Sequence, residues 1–88
     1  MLPFAALSDP TRQRIVEMLA SREYPAGEIA RRFDMTPPAV SQHLRVLREA
    51  GVVRMRREAQ RRMYSLEPQG FAELDAWLAR FRRAWSSA

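Results

Sequence analysis

The sequence predicts a mainly α protein with a small β-hairpin, an α+β fold of about five helices and two strands. Three observations predict it. Prolines stand just before four apolar stretches that have helical periodicity. Residues 52–67 instead alternate polar with β-branched or aromatic residues around a short polar centre. The chain has 88 residues, which suits one domain, so we assign residues 1–88 to a single unit.

The first half of the chain contains three predicted helices. A short apolar helix is expected around Leu2, Phe4 and Leu7. In the second helix, Asp9 can act as the N-cap, and Pro10 suits the first position because its missing N–H would be unpaired there anyway. The buried stripe of this helix is Ile15, Val16 and Leu19.

A third, shorter helix is expected to open at Pro25 and to end at a tight turn formed by Asp34 and Met35. Its apolar residues are Ile29, Ala30 and Phe33.

The fourth predicted helix begins with two consecutive prolines. Thr36 is a good N-cap, and Pro37 and Pro38 fall in the first turn, where N–H groups have no intrahelical partner. At 100° per residue, one face within about 60° is apolar and should be buried. That face consists of Val40, Leu44 and Leu47. Gly51 is expected to end the helix.

The opposite face of this helix carries side chains that suit contact with DNA. Gln42 can pair with adenine and Arg45 with guanine in the major groove. His43 lies toward the rim of the core, which favours packing or a phosphate contact over a metal-ligand role. The residues expected to contact DNA from this helix are Thr36, Pro38, Ala39, Ser41, Gln42, His43, Arg45 and Arg48.

The hairpin after the fourth helix is rich in arginine. The chain's net charge is +5, and residues 31–62 hold nine arginines against three acidic residues. Such asymmetry is typical of a nucleic-acid-binding surface, although a solvated basic surface would look the same. Near the tip, Arg57, Arg61 and Arg62 can reach phosphates or the minor groove. Helix, tight turn, helix and basic hairpin together predict a winged helix-turn-helix.

A long final helix is predicted after Pro68. Its apolar residues recur at spacings of three and four: Phe71, Leu74, Leu78, Phe81 and Trp85, with Trp77 beside them. This seam could belong to the core of one chain. It is, however, more bulky apolar surface than an 88-residue monomer readily covers. We therefore expect a homodimer interface, which Leu2, Phe4 and Leu7 join.

Composition excludes several classes of protein. Cysteine is absent, which excludes disulfides, thiol redox sensing and thiolate metal sites, so neither metal nor cofactor is expected. Ser41 and His43 are two apart on a helix and do not face each other, so no enzyme is expected. No apolar run is long enough to span a membrane and no basic-apolar leader is evident. These features predict a cytoplasmic protein without membrane contact.

Three runs of sequence resemble the arsenic-repressor-like (ArsR) family of bacterial winged-helix transcriptional regulators. They are "ALSDPTRQRIVEML", "AGEIARRFDMTPPAVSQHLRVLREAGVV" and "RRMYSLEP", and with their spacing they extend from about residue 5 to 68. The resemblance implies a homodimer, assembled from the first and last helices, that binds a near-palindromic operator and represses transcription. It also implies that residues 36–49 are the recognition helix and residues 53–66 the wing.

The chain differs from the metal-sensing members of that family. Where those carry a Cys-x-Cys pair on the helix before the turn, this sequence reads "YPAGEIA". On the last helix Glu73 and Asp75 stand without a histidine. The resemblance is therefore to a metal-independent branch, whose members can act without a known inducer. Ala59 stands where family wings often have glycine, which leaves the conformation of the wing turn open.

Two alternative functions are left open by the sequence. A winged helix can serve as a protein-interaction module without binding DNA. Here the polar helix face keeps Ser41, Gln42, Arg45 and Arg48 beside a basic wing, which favours double-stranded DNA as the partner. The other alternative is a DNA-binding repressor that an unidentified small molecule releases.

Overall fold

The computed structural model describes residues 3–86, which form six helices and three strands. In chain order these are α1 (Phe4–Leu7), α2 (Pro10–Leu19), β1 (Tyr24–Pro25), α3 (Ala26–Phe33), α4 (Pro37–Glu49), β2 (Val53–Glu58), β3 (Arg61–Leu66), α5 (Pro68–Ala79) and α6 (Arg82–Ser86). The predicted fold class, mainly α with a small β-hairpin, is confirmed. Leu2, which was assigned to the first helix, lies outside the described residues.

Helix α2 begins as its sequence predicts. Asp9 has extended backbone angles, and its carboxylate accepts a hydrogen bond of 3.0 Å from the backbone N–H of Arg12. This hydrogen bond lowers the pKa of Asp9, because it favours the charged form of the carboxylate. Pro10 occupies the first turn. The helix then directs Ile15 and Leu19 into the core, where both are buried.

The sheet has three strands, so the prediction of two was wrong. β1 pairs antiparallel with β3, with Tyr24 opposite Tyr64 and Pro25 opposite Met63, and the strand order is β1-β3-β2. Pro25 had been expected to open α3, but it is extended and stands just before the helix as its N-cap residue. Proline is tolerated at a sheet edge because no ladder hydrogen bond is needed there from its missing N–H. A strand of two residues is too short to show a period in the sequence.

The final helix is divided in two, so the prediction of one long helix was also wrong. α5 ends at Ala79, and α6 starts at Arg82. Between them the backbone tightens to i→i−3 hydrogen bonds, of 3.2 Å from Arg80 N–H to Trp77 O and 3.0 Å from Phe81 N–H to Leu78 O. The turn leaves the Phe81 ring packed against Trp77, with centroids 4.7 Å apart. The predicted seam therefore bends at its centre.

One core lies between the helices and the sheet. Its six most deeply buried side chains are Ile15, Ile29, Val40, Leu44, Leu47 and Val52. Three of these are the predicted apolar face of α4, which is thereby confirmed as its docked side. Within residues 3–86, no helix has both the length and the apolar character needed to cross a membrane.

Candidate nucleic-acid interface

The turn between α3 and α4 is short because Asp34 adopts a left-handed conformation, with φ 52° and ψ 47°. Its N–H donates to the carbonyls of Ala30 and Arg31, and the N–H of Met35 returns to Ala30 O at 3.1 Å. This pattern closes α3, and aspartate is among the few side chains that tolerate the left-handed region. The predicted tight turn is confirmed, and it places α4 directly against α3.

Helix α4 has one fully docked face and one open face. The hydroxyl of Thr36 accepts from the N–H of Ala39 at 3.3 Å, so the expected N-cap forms. The docked face is Val40, Leu44 and Leu47, each at most 1% exposed. The residues of the open face are Thr36, Pro38, Ser41, Gln42, Arg45, Arg48 and Glu49, all exposed, while Ala39 and His43 are half-buried at its margin.

The two arginines of the open face are available for a ligand. Neither Arg45 nor Arg48 forms an ion pair with any residue in the described part of the chain. Gln42 projects from the same face and is also exposed. The face therefore presents two cations and one amide that can pair with base edges or phosphates without first breaking an internal contact.

His43, for which packing or a phosphate contact was expected, lies half-buried at the rim of the core, and its neighbour there is Arg12 of α2. Arg12 Nη1 is 3.4 Å from His43 Nδ1, a geometry in which Nδ1 accepts a hydrogen bond when it carries no proton. The same guanidinium donates from Nε to the carbonyl of Ala6 at 2.7 Å. Arg12 thus links the end of α1 to α4. Sequence reasoning missed this role, because the two side chains are 31 positions apart.

The wing is a regular hairpin with a two-residue turn at Ala59 and Gln60. Ala59 has φ 56°, in the left-handed region, which is unfavourable for residues other than Gly, Asn and Asp. The turn is therefore formed despite the absence of glycine. On either side of it, Glu58 is opposite Arg61, and Arg57 is opposite Arg62. Residues opposite each other share one face of the sheet, so the last pair juxtaposes two positive charges.

Two other wing arginines are held by carboxylates. Arg56 binds Glu23 through two hydrogen bonds of 2.8 and 2.6 Å and also contacts Glu58 at 3.1 Å. Arg61 contacts Glu58 at 2.8 Å. The hydrogen bond from Arg61, followed by that from Arg56, lowers the pKa of Glu58, which stays charged. The charge of Arg61 is therefore partly neutralised by Glu58 before any contact with DNA. Sequence reasoning missed Glu23, which lies 33 positions from Arg56.

Large apolar side chains near the two ends of the described chain are exposed to solvent, and we refer to them together as the apolar patch. Its exposed members are Phe4 at 47%, Leu78 at 37%, Phe81 at 42% and Trp85 at 54%. Trp77 joins α1 to α5, because its ring meets Phe4 edge-on at 5.0 Å. Other predicted interface residues are partly committed to this chain: Leu7 and Phe71 pack on the core, and Leu74 is half-buried.

Among residues 3–86, no group of three or more His, Asp and Glu side chains is placed so that it could hold a metal ion. Glu73 and Asp75 of α5 are both exposed.

The chain matches known proteins over most of its length. Residues 9–55 fit a sequence model described as "Bacterial regulatory protein, arsR family". The chain is 47% identical to the HTH-type transcriptional regulator Rv2034 of Mycobacterium tuberculosis, over 94% of this chain and 75% of that one. It is 36% identical to the transcriptional repressor SdpR of Bacillus subtilis, over 89% and 87% of the two chains.

A solved structure has the same fold. It is the homodimeric winged helix-turn-helix DNA-binding domain Mb0332 of Mycobacterium bovis, described as a possible ArsR-family transcriptional regulator. The alignment covers 96% of this chain and 78% of that one, with 27% identity and a TM-score of 0.76. The match extends over nearly the whole of this chain.

Proposed function

This chain belongs to the arsR family of bacterial regulatory proteins, and from that membership we propose that it is a homodimeric, sequence-specific repressor of transcription. Residues 1–88 would act as one DNA-binding domain with dimerisation helices at its ends. In each protomer α4 enters the major groove of a near-palindromic operator, and the wing contacts flanking phosphates or the minor groove. Such a protein acts in the bacterial cytoplasm, where the DNA is, and needs no catalytic step.

The observation that carries this proposal is the division of α4 into two faces. Burial of Val40, Leu44 and Leu47 fixes the helix rotationally, so Gln42 and Arg45 point away from the body of the protein. A recognition helix needs this arrangement, because bidentate contacts to base edges depend on a fixed side-chain origin. A helix face that is merely solvated gives no reason for Arg45 and Arg48 both to lack ion-pair partners among residues 3–86.

The wing supports the same placement. Arg57 and Arg62 extend from the hairpin beside α3, and neither has an ion-pair partner within residues 3–86. Exposed, unpaired arginines at a protruding tip suit phosphate contacts that position the domain without reading sequence. On this proposal α4 contacts the bases of the DNA, and the wing contacts its phosphates.

Self-association is supported by the apolar patch. Phe4, Leu78, Phe81 and Trp85 form a surface that a second copy can cover by two-fold symmetry. The related domain from M. bovis is homodimeric, and SdpR is named a repressor. A dimer presents two α4 helices to one side of the duplex, so the half-sites should be separated by about one helical turn, ~34 Å, or a multiple of it.

The proposal is tested by selecting binding sites from random duplexes and titrating the selected site against a scrambled one. Two chains should bind each selected duplex, and affinity for both duplexes should fall steeply as salt is raised, because phosphate contacts release counterions. Absence of measurable duplex binding at low salt would instead indicate a protein-interaction module. The selected sequences should show two inverted half-sites.

A further inference from the structure

The start of α5 is in direct backbone contact with the end of α4. Within α5, all of which the structure describes, Gly70 is the only buried residue. A Cβ atom at Gly70 would stand 2.0 Å from the carbonyl oxygen of Gly51 and 2.9 Å from its carbonyl carbon. It would also come within 3.3 Å of Val52 Cα. No side chain fits between these backbones, so glycine is required at this position.

Two further contacts fix the start of α5 near the end of α4. The N–H of Glu67 donates to the carbonyl of Val52 at 2.9 Å, just before α5 begins. Phe71, next to Gly70, packs partly buried against the core. Beyond this first turn, α5 has no buried residue, and its Trp77 makes ring contacts with Phe4 and Phe81. The direction of α5 is therefore determined mainly at its N-terminal end.

Gly51 is tied just as closely to the recognition helix. It follows Ala50, the C-cap of α4, and has φ 80°. Its N–H donates to the carbonyl of Arg48 at 3.0 Å, and the N–H of Val52 donates to Leu47 O at 3.2 Å. Gly51 is thus fixed to the last turn of α4 by these hydrogen bonds. A movement of α5 at Gly70 therefore changes the position of α5 relative to α4.

We propose that the contact between Gly51 and Gly70 is the joint that sets the angle between α4 and α5, and through it the spacing of the two half-sites that the dimer accepts. This inference rests on the proposed function. Gly70 is a positioning residue, since it lies on the proposed dimerisation helix and meets the backbone of Gly51 and Val52, just after the end of α4.

The geometry makes the joint a sensitive one. Ordinary contact begins at 3.4 Å, so a methyl group at Gly70 requires the backbones to separate. α5 has 12 residues and is roughly 18 Å long, so a small tilt at its base becomes a larger displacement at Leu78. Two-fold symmetry applies the same displacement in both protomers. Base pairs are stacked about 3.4 Å apart, so a shift of a few ångströms between the α4 helices corresponds to about one base pair.

Two variants separate this role from simple loss of stability. Gly70→Ala places a methyl group in the joint. Ile29→Val removes one methyl group from the core at a fully buried residue of α3, a helix that is not part of the joint. Both should lower the melting temperature, and only Gly70→Ala should alter the angle between α4 and α5.

The first measurement is binding to a series of operators whose half-sites are separated by two base pairs fewer to two base pairs more than the selected site. We expect wild type and Ile29→Val to share one optimum. Gly70→Ala should bind that site at least tenfold more weakly than Ile29→Val, with its optimum shifted by one base pair or lost. If the affinity of Gly70→Ala depended on half-site spacing as that of wild type does, the proposed role of the joint would be wrong, and the proposed function would still stand. A wild type with no spacing preference would overturn both.

The second measurement needs no DNA. The chain has no cysteine, so Glu49→Cys supplies one exposed labelling position near the end of each α4. The spin-label distance across the dimer should change by roughly one base-pair step, about 3 Å, with Gly70→Ala and stay constant with Ile29→Val. If Gly70→Ala does not fold, Phe71→Ala loosens the same joint without a clash. It should broaden the distance distribution and flatten the spacing profile, and a distribution as narrow as that of wild type would overturn the proposal.

Discussion

Arg57 and Arg62 stand directly opposite each other on the two strands of the wing, so two positive charges share one face of the hairpin next to its turn. Within residues 3–86, neither has a carboxylate partner. Like charges in opposed positions destabilise a hairpin, so the pair does not contribute to folding. A phosphate group beside the two guanidinium groups would remove the repulsion, which is the interaction we propose.

Removing one member of this pair should separate DNA affinity from stability. Arg62→Ala is expected to weaken binding to the selected and the scrambled duplex about equally. It should also lower the slope of log affinity against log salt by roughly one unit. The melting temperature should stay the same or rise, because the repulsion is gone. Arg14→Ala, the same charge change on α2, should leave the salt slope unaltered. A change in base preference with Arg62→Ala would contradict a phosphate-contacting role.

Truncation of Arg45 should affect sequence preference. Arg45→Ala is expected to cost ~1–3 kcal/mol of binding free energy on the selected operator and to relax preference at one base pair in each half-site. The salt slope on scrambled DNA should change little. Repeating the site selection with the variant gives the readout. If Arg45→Ala shifted only the salt slope, the assignment of base reading to α4 at this position would be wrong.

Glu58 should restrain the wing's affinity for DNA. Glu58→Gln removes the carboxylate that binds Arg61 and Arg56, so both guanidinium groups gain positive potential toward phosphates. We expect several-fold tighter binding to selected and scrambled duplexes alike, measured at one fixed salt concentration. Glu17→Gln on α2 makes the same change in net charge and serves as control. Equal tightening in both variants would show that net charge alone is responsible.

Charges in the apolar patch should prevent dimerisation. The double variant Leu78→Glu with Phe81→Glu places two carboxylates where a partner's apolar surface is expected, which is costly unless they stay in water. Sedimentation should show monomers, and binding to the operator should be weak. Ala76→Glu adds a carboxylate to the opposite side of α5 and should remain dimeric. A dimer that survives the double variant would place the interface elsewhere.

The turn of the wing should be improved by glycine. Ala59 has φ 56°, which costs an alanine side chain about 1 kcal/mol and glycine very little. Part of this gain is lost to the greater freedom of glycine in the unfolded chain, so Ala59→Gly should stabilise by about 0.5 kcal/mol. Thermal unfolding at fixed protein concentration is the measurement. A lowered melting temperature would mean that the turn is not strained at Ala59.

What the sequence could predict was local. The two faces of α4, its Thr36 cap and the turn at Asp34 all follow from residues within a few positions of one another, and the structure has each of them. The break in the final helix was not predictable in this way, because the apolar spacing continues across Arg80 and Phe81 without a proline or glycine. Periodicity reports which side of a helix is apolar and not whether the helix continues.

Contacts between distant positions were also out of reach. Glu23 bonds to Arg56 from just before β1, and Arg12 reaches His43 from another helix. Each pair became visible only after the fold had brought the two elements together. The same holds for Gly70, which in the sequence is one more residue after a helix-opening proline and in the structure lies directly against the backbone of Gly51.

The carboxylates of Glu23 and Glu58 bear on how such a repressor would search a genome. A wing that keeps Arg56 and Arg61 in internal ion pairs releases fewer counterions on random DNA than its arginine content suggests. Its visits to non-specific sites would be brief, and those sites outnumber operators by many orders of magnitude. The protein would therefore spend less of its search bound to non-specific DNA. Arg61 would exchange Glu58 for a phosphate chiefly at the operator, where α4 already keeps the wing beside the backbone.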